Sequence, residues 1–142
     1  MLRILIPVDG SEPALRAVEH VLKNTALLKD RPEIHLLNVQ LALRQSVTAF
    51  ISAAQIESYH RDEGMKALAP ARAKLDAAGV PYQFHIGVGE QPADVIARYA
   101  RDKKCDQIVM GTRGLGSVAG VLLGSVATKL LHLSEVPVQL IK

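Results

Sequence analysis

The segment 110–125 combines the residue types and the spacing best suited to hold an anion. It contains five of the ten glycines of the chain, between a predicted strand at residues 107–110 and a predicted helix that begins at Ser125. Glycine lets backbone N–H groups turn toward a ligand without obstruction by a Cβ atom. A helix N-terminus adds unpaired N–H groups and a partial positive charge. The segment therefore predicts a loop that wraps a phosphate chain.

Two familiar glycine motifs describe this segment less well. Residues 114–119 match G-x-G-x-x-A, but the dinucleotide fingerprint also needs an acidic residue about 20 positions on, after a second strand. Glu135 has about that separation, yet it comes before the predicted strand. A Walker loop requires a glycine followed by lysine, and no glycine of the chain is followed by lysine.

Hydrophobic patterning predicts the alternating strands and helices that would position this loop. Short apolar runs bounded by turn residues predict five strands, at residues 2–8, 34–39, 80–88, 107–110 and 136–141. Apolar residues at helical spacing predict four helices, after Ser11, over residues 52–78, from Gln91 and over residues 125–133. Pro70 predicts a kink or break in the second helix, and Gly79 marks its end. Residues 40–50 are predicted to form a surface loop or a ragged helix entry.

Five strands separated by helices predict an α/β fold, a doubly wound three-layer sandwich with a parallel sheet and helices on both faces. Ligands of such folds bind outside the carboxyl ends of the strands, where the strand order reverses. Asp9-Gly10-Ser11 follows the first predicted strand, and Gly111 follows the fourth. If these two strands are neighbours, the Asp9 carboxylate and the glycine loop face each other across one crevice.

The length and composition of the chain limit the class of protein. A chain of 142 residues has the size of one domain, and we expect residues 1–142 to form one. Apolar residues make up 49% of the chain, yet no run approaches the ~20 residues needed to cross a bilayer. The N-terminal residues lack the pattern of a signal peptide, and the single cysteine excludes an internal disulfide. We therefore expect a cytoplasmic protein outside the membrane.

The net charge of +3 does not by itself indicate a nucleic-acid partner. Basic residues are scattered along the predicted helices and loops, and aromatic residues make up only 4% of the chain. The sequence shows no alternation of basic and aromatic residues that would stack on bases. No role in binding DNA or RNA is expected.

The spacing of the glycines, Gly111-x-x-Gly114, nine residues and then Gly124-Ser125, resembles the nucleotide-binding signature of the universal stress protein family. The opening residues 4–11, Ile-Leu-Ile-Pro-Val-Asp-Gly-Ser, resemble the first strand and turn of that family. The resemblance covers the whole chain. It implies the ATP-binding subgroup of the family and a sheet in the order 3-2-1-4-5, with strands one and four side by side.

The resemblance also implies a nucleoside site at the ends of the strands. Asp9 would accept hydrogen bonds from the nucleoside, a role that suits a carboxylate. The residues expected beside the base and the sugar are Pro7, Val8, Val39, Met110 and Gly111. Two alternatives stay open, since Asp9 also suits a plain turn and Val39 also suits ordinary sheet core.

The phosphates are expected at the other end of this site. The resemblance implies contacts from the backbone N–H groups of Gly114, Gly124, Ser125 and Val126, with the Ser125 hydroxyl added. Arg113 would pair with a phosphate, or it is simply an exposed residue at a loop tip. The implied ligand is an adenine nucleotide, ATP or AMP, and any Mg²⁺ would be held mainly through the phosphates. An empty glycine loop remains the alternative.

These inferences predict a nucleotide-responsive binding module of the stress response, with little or no turnover. Asp9 would lie at the nucleoside end, far from the terminal phosphate at which hydrolysis takes place. The five histidines are dispersed and show no metal-ligand spacing. Two alternatives remain, a structural or interaction protein of the same fold that binds no nucleotide, and a slow ATP hydrolase.

Two further expectations concern assembly and the single thiol. The last predicted strand, residues 136–141, is apolar and is expected at a sheet edge, where an uncovered strand invites pairing. The family resemblance likewise implies a homodimer through this strand. Cys105 lies at a predicted helix end, where Lys103 and Lys104 would lower its pKa unless it is a half-buried inert thiol.

Overall fold

The computed structural model describes residues 1–112 and 124–142, and in these ranges strands alternate with helices. The strands are β1 (Arg3–Pro7), β2 (Glu33–Leu41), β3 (Tyr82–Gly89), β4 (Gln107–Gly111) and β5 (Val138–Ile141). The helices are α1 (Glu12–Thr25), α2 (Gln45–Thr48), α3 (Ala53–Ala77), α4 (Pro92–Asp102) and α5 (Ser125–Leu133). Within the described part of the chain, no helix is both long and apolar enough to cross a membrane.

The strands form one parallel sheet in the order β3-β2-β1-β4-β5. The predicted doubly wound α/β fold and its strand order are therefore confirmed. Strand β1 is central, because Ile4 lies opposite both Ile34 of β2 and Gln107 of β4. Since β1 and β4 are neighbours and parallel, the residues that follow them lie at the same edge of the sheet.

Two apolar layers bury the two faces of the sheet. One layer joins β1 and β2 to α1 and α3, through residues that include Ile4, Ile6, Leu36, Val18 and Leu68. The other joins alternate residues of the same strands to α4 and α5, through residues that include Leu5, Leu37, Ile96 and Leu130. Alternate residues of a strand point to opposite faces. The central strands are mainly apolar because both of their faces are buried, although β2 also buries the polar residues His35 and Asn38.

Helix α3 continues through Pro70, so of the predicted kink or break the break is wrong. A proline inside a helix removes a hydrogen bond and costs about 3 kcal/mol. The side chains of Leu68 and Leu75, on either side of Pro70, are fully buried in the layer against the sheet. This packing offsets the cost of the proline. Gly79 takes a φ of 67° just beyond the helix, as predicted.

Several other elements differ from their predicted limits; β2 extends to Leu41, and β3 begins at Tyr82, two residues later than predicted. Residues 45–48 form the short helix α2 within a stretch predicted as loop or ragged helix entry. Strand β5 begins at Val138, two residues later than predicted. The hydroxyl of Ser134 accepts a hydrogen bond from the N–H of Val136 at 3.2 Å and donates one to its carbonyl oxygen at 2.7 Å. Residue 136 is therefore held in a turn and cannot join the strand.

Candidate functional site

A cavity of about 270 Å³ opens at the carboxyl ends of β1, β2 and β4. Nine of the residues predicted to form a nucleotide site line this cavity, namely Pro7, Val8, Asp9, Val39, Met110, Gly111, Gly124, Ser125 and Val126. The other two predicted residues, Arg113 and Gly114, lie outside the described residues. The fold thus gathers the turn after β1, the ends of β2 and β4 and the start of α5 around one space.

The turn after β1 presents Asp9 at one end of the cavity. Its Oδ1 accepts a hydrogen bond from the N–H of Ser11 at 2.9 Å and another from the Ser11 hydroxyl. Gly10 takes a φ of 84°, a conformation that favours glycine, and it lies against the backbone of Ala67 in α3. Asp9 is therefore a turn former. Asp9 is also exposed, and no described residue donates a hydrogen bond to its Oδ2.

Asn38 of β2 lines the cavity and is not singled out by the sequence analysis. Its side chain is buried, with Nδ2 donating to the carbonyl oxygen of Val8 at 2.8 Å and Oδ1 accepting from Nε2 of Gln40 at 2.7 Å. These bonds hold the ends of β1 and β2 together at the site. The sequence signal that could have identified Asn38 is an amide side chain within the apolar run 34–39. A buried polar group needs hydrogen-bond partners, so such a residue is expected to make specific contacts.

Gly111 ends β4 where the start of α1 comes very close. A Cβ atom at position 111 would lie 2.1 Å from the carbonyl oxygen of Pro13. The next residue, Thr112, is buried, and its N–H donates to the carbonyl oxygen of Ile141 at 2.8 Å. Glycine at 111 therefore lets α1 and the turn that holds Asp9 approach the end of β4.

The N-terminus of α5 forms the other end of the cavity. Gly124 is the N-cap residue, in an extended conformation with a φ of −68° and a ψ of 160°, and no side chain of the described residues caps the helix. The N–H groups of Ser125 and Val126 therefore have no partner within the helix. The first turn of α5 also carries no acidic residue. This end of the cavity suits an anion, which the N–H groups and the helix dipole would stabilise.

Apolar side chains form much of the wall of the cavity. They include Leu37 and Val39 of β2, Ile96 of α4 and Met110 of β4. Such a wall suits a flat ring, Asp9 suits hydroxyl or amine donors, and the start of α5 suits an anion. Within residues 1–112 and 124–142, no three His, Cys, Asp or Glu side chains form a cluster that would hold a metal ion.

The thiol of Cys105 lies away from this cavity and is not activated. Burial, followed by the charge of Asp106, raises the pKa of Cys105 to about 11. Of the two interpretations, a pKa lowered by Lys103 and Lys104 is therefore wrong, because desolvation of the thiolate outweighs the nearby positive charge. The raised pKa agrees with the favoured interpretation, an inert thiol.

Two of the histidines lie close together, although all five are dispersed in the sequence. Nδ1 of His35 in β2 lies 2.9 Å from Nε2 of His85 in β3, and Nε2 of His35 lies 2.7 Å from Oε1 of Glu33. Parallel pairing of β2 with β3 brings these residues together. His85 lies opposite Leu37 in the register, two residues along β2 from His35. They are remote from the cavity described above.

The strand order and the position of the cavity define the class of protein. It is a doubly wound α/β protein with a crevice at the point where the strand order reverses. The model of the universal stress protein family matches residues 1–142. Universal stress protein MJ0531 of Methanocaldococcus jannaschii is 32% identical over 140 residues, which cover 99% of this chain and 81% of that protein. The chain belongs to the universal stress protein family.

Two solved structures are similar over nearly the whole chain. The structure of MJ0577, also from Methanocaldococcus jannaschii, has a TM-score of 0.79 at 28% identity and covers 99% of this chain and 94% of that one. A universal stress protein in complex with cAMP has a TM-score of 0.72 at 26% identity and covers 99% of this chain and 97% of that one. Both similarities agree with the fold and with the family.

Proposed function

We propose that this protein binds an adenine nucleotide, ATP or AMP, in the cavity between Asp9 and the start of α5. The observation that carries the proposal is that the acidic turn after β1 and the uncapped N-terminus of α5 line the same cavity. One end suits a ribose and the other suits phosphate. The related protein in complex with cAMP supports an adenine nucleotide as the class of ligand.

The nucleoside lies at the strand end of the cavity. The Oδ2 atom of Asp9 accepts hydrogen bonds from ribose hydroxyls, while Oδ1 keeps the turn closed. The base and the sugar contact the mainly apolar wall made by Pro7, Val8, Val39, Met110 and Gly111. Val39 in this proposal is both a sheet residue and part of the wall.

The phosphates lie at the N-terminus of α5. The N–H groups of Ser125 and Val126 and the Ser125 hydroxyl donate to phosphate oxygens, and Gly124 allows their close approach. Arg113 and Gly114 complete the phosphate site. Any Mg²⁺ is bound mainly by the phosphates, because that ion commonly takes most of its ligands from nucleotide and water.

The protein acts as a cytoplasmic, nucleotide-responsive binding module rather than as an efficient enzyme. In the proposed orientation Asp9 contacts the nucleoside, so it does not orient water at a terminal phosphate. We further propose that two copies pair through β5. A slow hydrolase would release phosphate from ATP, which a turnover assay with and without Mg²⁺ detects.

Calorimetric titration with AMP and adenosine tests the proposal through one substitution and its matched control. Ser125→Pro removes the N–H and the hydroxyl at the first helical position, where proline is well tolerated. Ser125→Ala removes the hydroxyl alone. Hydrogen bonds to charged groups contribute about 1.5–3 kcal/mol, so we expect Ser125→Pro to weaken AMP binding by about tenfold or more.

The same titration separates the phosphate contacts from the rest of the site. Ser125→Ala should weaken AMP binding less than Ser125→Pro, and adenosine should bind all three proteins equally. Equal loss of AMP and adenosine binding in Ser125→Pro would show that α5 does not hold the phosphate. If neither AMP nor ATP binds the unmodified protein at millimolar concentration, the structural or interaction role is correct instead.

A further inference from the structure

A second and larger cavity, of about 700 Å³, lies between α2, the N-terminal half of α3 and the carboxyl end of β3. It shares no lining residue with the candidate nucleotide site. Its walls are mainly apolar and include Leu43, Ile56, Met65, Phe84, Ile86 and Val88. Its size is within the range of small-molecule sites, about 300–1,000 Å³.

The cavity exists because α3 packs closely against the sheet only from its middle onward. At Gly64 the helix is so near β3 that a Cβ atom would lie 2.7 Å from Cδ1 of Ile86. Beyond this point Leu68 and Leu75 are fully buried in the apolar layer on that face. Among residues 53–63, by contrast, only His60 is buried. The first half of α3 therefore forms a wall of the cavity and contributes little to the core.

His60 is buried at the inner side of this cavity. The residue lines the cavity and is only 5% exposed, and its Nδ1 has no hydrogen-bond partner among the described residues. That atom is covered by protein atoms, so a molecule in the cavity does not reach it. Polar recognition of a ligand must therefore come from the charged residues at the mouth.

The charged residues at the mouth indicate the sign of the charge that such a ligand would carry. Arg61 lines the cavity next to His60, is exposed, and makes no ion pair with any described residue. Glu57 lies one helical turn earlier and also lines the cavity, yet no described contact within 4 Å joins its carboxylate to the guanidinium. The Arg61 guanidinium, whose planar donors match a carboxylate, is therefore open to a ligand.

We infer that this cavity binds an aliphatic carboxylic acid, with its chain against the apolar wall and its carboxylate held by Arg61. The apolar residues exclude water from the chain, and the guanidinium supplies charge-assisted hydrogen bonds. Glu57 opposes the anion and limits the affinity. This inference does not depend on the proposed nucleotide binding.

Titration of the full chain with octanoate, followed by the ¹³C-methyl NMR signals of Ile56, Met65 and Ile86, tests the inference. We expect saturable shifts of these signals while the methyl signal of Met110, in the nucleotide cavity, stays unchanged. Octan-1-ol and octylammonium should bind at least about tenfold more weakly, because they lack the carboxylate that Arg61 recognises. Equal binding of all three molecules, or no binding of octanoate, would overturn the inference.

Three variants make the test specific. Arg61→Gln should raise the Kd for octanoate about tenfold, Glu57→Gln should lower it, and Arg31→Gln, an exposed change before β2, should leave it unchanged. A Kd that is the same in Arg61→Gln and in the unmodified protein would contradict the assigned carboxylate contact. If the three methyl signals instead shift with protein concentration in the absence of ligand, the cavity is a contact between copies of the chain and the inference is wrong.

Discussion

At the scale of a single residue, Asp9 has an observed role in a turn and a proposed role in binding the nucleoside. Its Oδ1 closes the turn by accepting from Ser11, while no described residue donates to its Oδ2. The sequence analysis treated turn former and ligand contact as alternatives. In a carboxylate with two oxygens the two roles are compatible, because the turn occupies only one of them.

Asp9→Asn tests the second role without removing the first. Asparagine keeps an oxygen that accepts from the Ser11 N–H, so the turn should persist. It replaces the Oδ2 acceptor by an amide that cannot accept from ribose hydroxyls. We expect adenosine and AMP affinities to fall by the same factor, about tenfold or more, with little change in the free energy of unfolding.

Isothermal titration of both ligands, together with urea unfolding of the unmodified protein and the variant, measures these quantities. Unchanged affinities in Asp9→Asn would show that the carboxylate serves only the turn. A loss confined to AMP would place Asp9 at the phosphate end and contradict the proposed orientation of the nucleotide.

His85 makes stability depend on pH. Burial, and then the charges of His35 and Lys103, lower the pKa of His85 below its ordinary value of 6.5. Below pH 6.5 the unfolded chain therefore binds more protons at this residue than the folded one, and the free energy of unfolding falls as the pH falls. His85→Gln should flatten this dependence, since it removes the titrating ring and can still donate to His35.

Urea unfolding between about pH 7.5 and about pH 5 measures this slope. Above pH 5, Glu33 stays ionised, because the hydrogen bond from His35 lowers its pKa from 4.5. Its stabilising contribution is lost only at lower pH, as the pH falls through its folded pKa. His132→Gln, an exposed change on α5, is the control. The account of His85 fails if His85→Gln keeps the full slope of the unmodified protein.

At the scale of the element, close approach of backbones positions the candidate site. Gly111→Ala places a Cβ atom 2.1 Å from the Pro13 carbonyl oxygen, so α1 or β4 must move. Overpacking costs about 1–3 kcal/mol, and backbone obstacles yield least. We expect a loss of stability in this range or above it, together with weaker AMP binding, because the turn of Asp9 moves with α1.

Gly64→Ala is the matched change in which the obstacle is a side chain. Its Cβ atom would meet only Ile86, which can rotate, and alanine in a helix interior is favoured over glycine by about 1 kcal/mol. We therefore expect the free energy of unfolding, measured with urea, to fall less in Gly64→Ala than in Gly111→Ala. The reverse order would show that Gly111 is not needed for the packing of α1 on β4.

The elements were predictable where local pattern and burial agree. The limits of α5 match the prediction, and the strand order follows from the family resemblance and is confirmed. The continuation of α3 through Pro70 was not predictable in this way, because burial of Leu68 and Leu75 stabilises the helix on both sides of the proline. The late start of β5 depends on the hydroxyl of Ser134, a local contact that hydrophobic pattern does not reveal.

The residues of the acidic turn and of the glycine-rich signature were predictable from the sequence, whereas polar residues within the strands were not. A glycine-rich signature and an acidic turn predict which residues share the cavity, because parallel strands end at one edge of the sheet. Asn38 and the pair of His35 and His85 were missed, since their partners lie 30 and 50 residues away in the sequence. Only the pairing of the strands brings such residues together.

At the scale of the whole molecule, β5 is an edge strand among the described strands, and we propose pairing of two copies through it. The carbonyl groups of Pro137 and Ile141 accept hydrogen bonds from the N–H groups of Ile108 in β4 and of Thr112 just after it, so the N–H of Val138 points away from the sheet. Val138→Pro removes this outward donor, and proline is tolerated on such an edge. We expect the variant to be a monomer.

Sedimentation equilibrium at tens of micromolar measures the state of association of the unmodified protein and of two variants. Val138→Ala shortens the same side chain but keeps the N–H, so it should remain a dimer. A monomeric unmodified protein, or an equal effect of alanine and proline, would contradict pairing through the backbone of β5.

The most direct test of the central claim is titration of AMP into protein with ¹³C-labelled methyl groups. Val8, Val39, Met110 and Val126 line the cavity from the turn after β1, from β2, from β4 and from α5, so their methyl signals report on several of its walls. The proposed site predicts saturable shifts of all four with one Kd, and none for Ile56 in the second cavity. No shift of these four signals at millimolar AMP, or shifts confined to other parts of the protein, would contradict it.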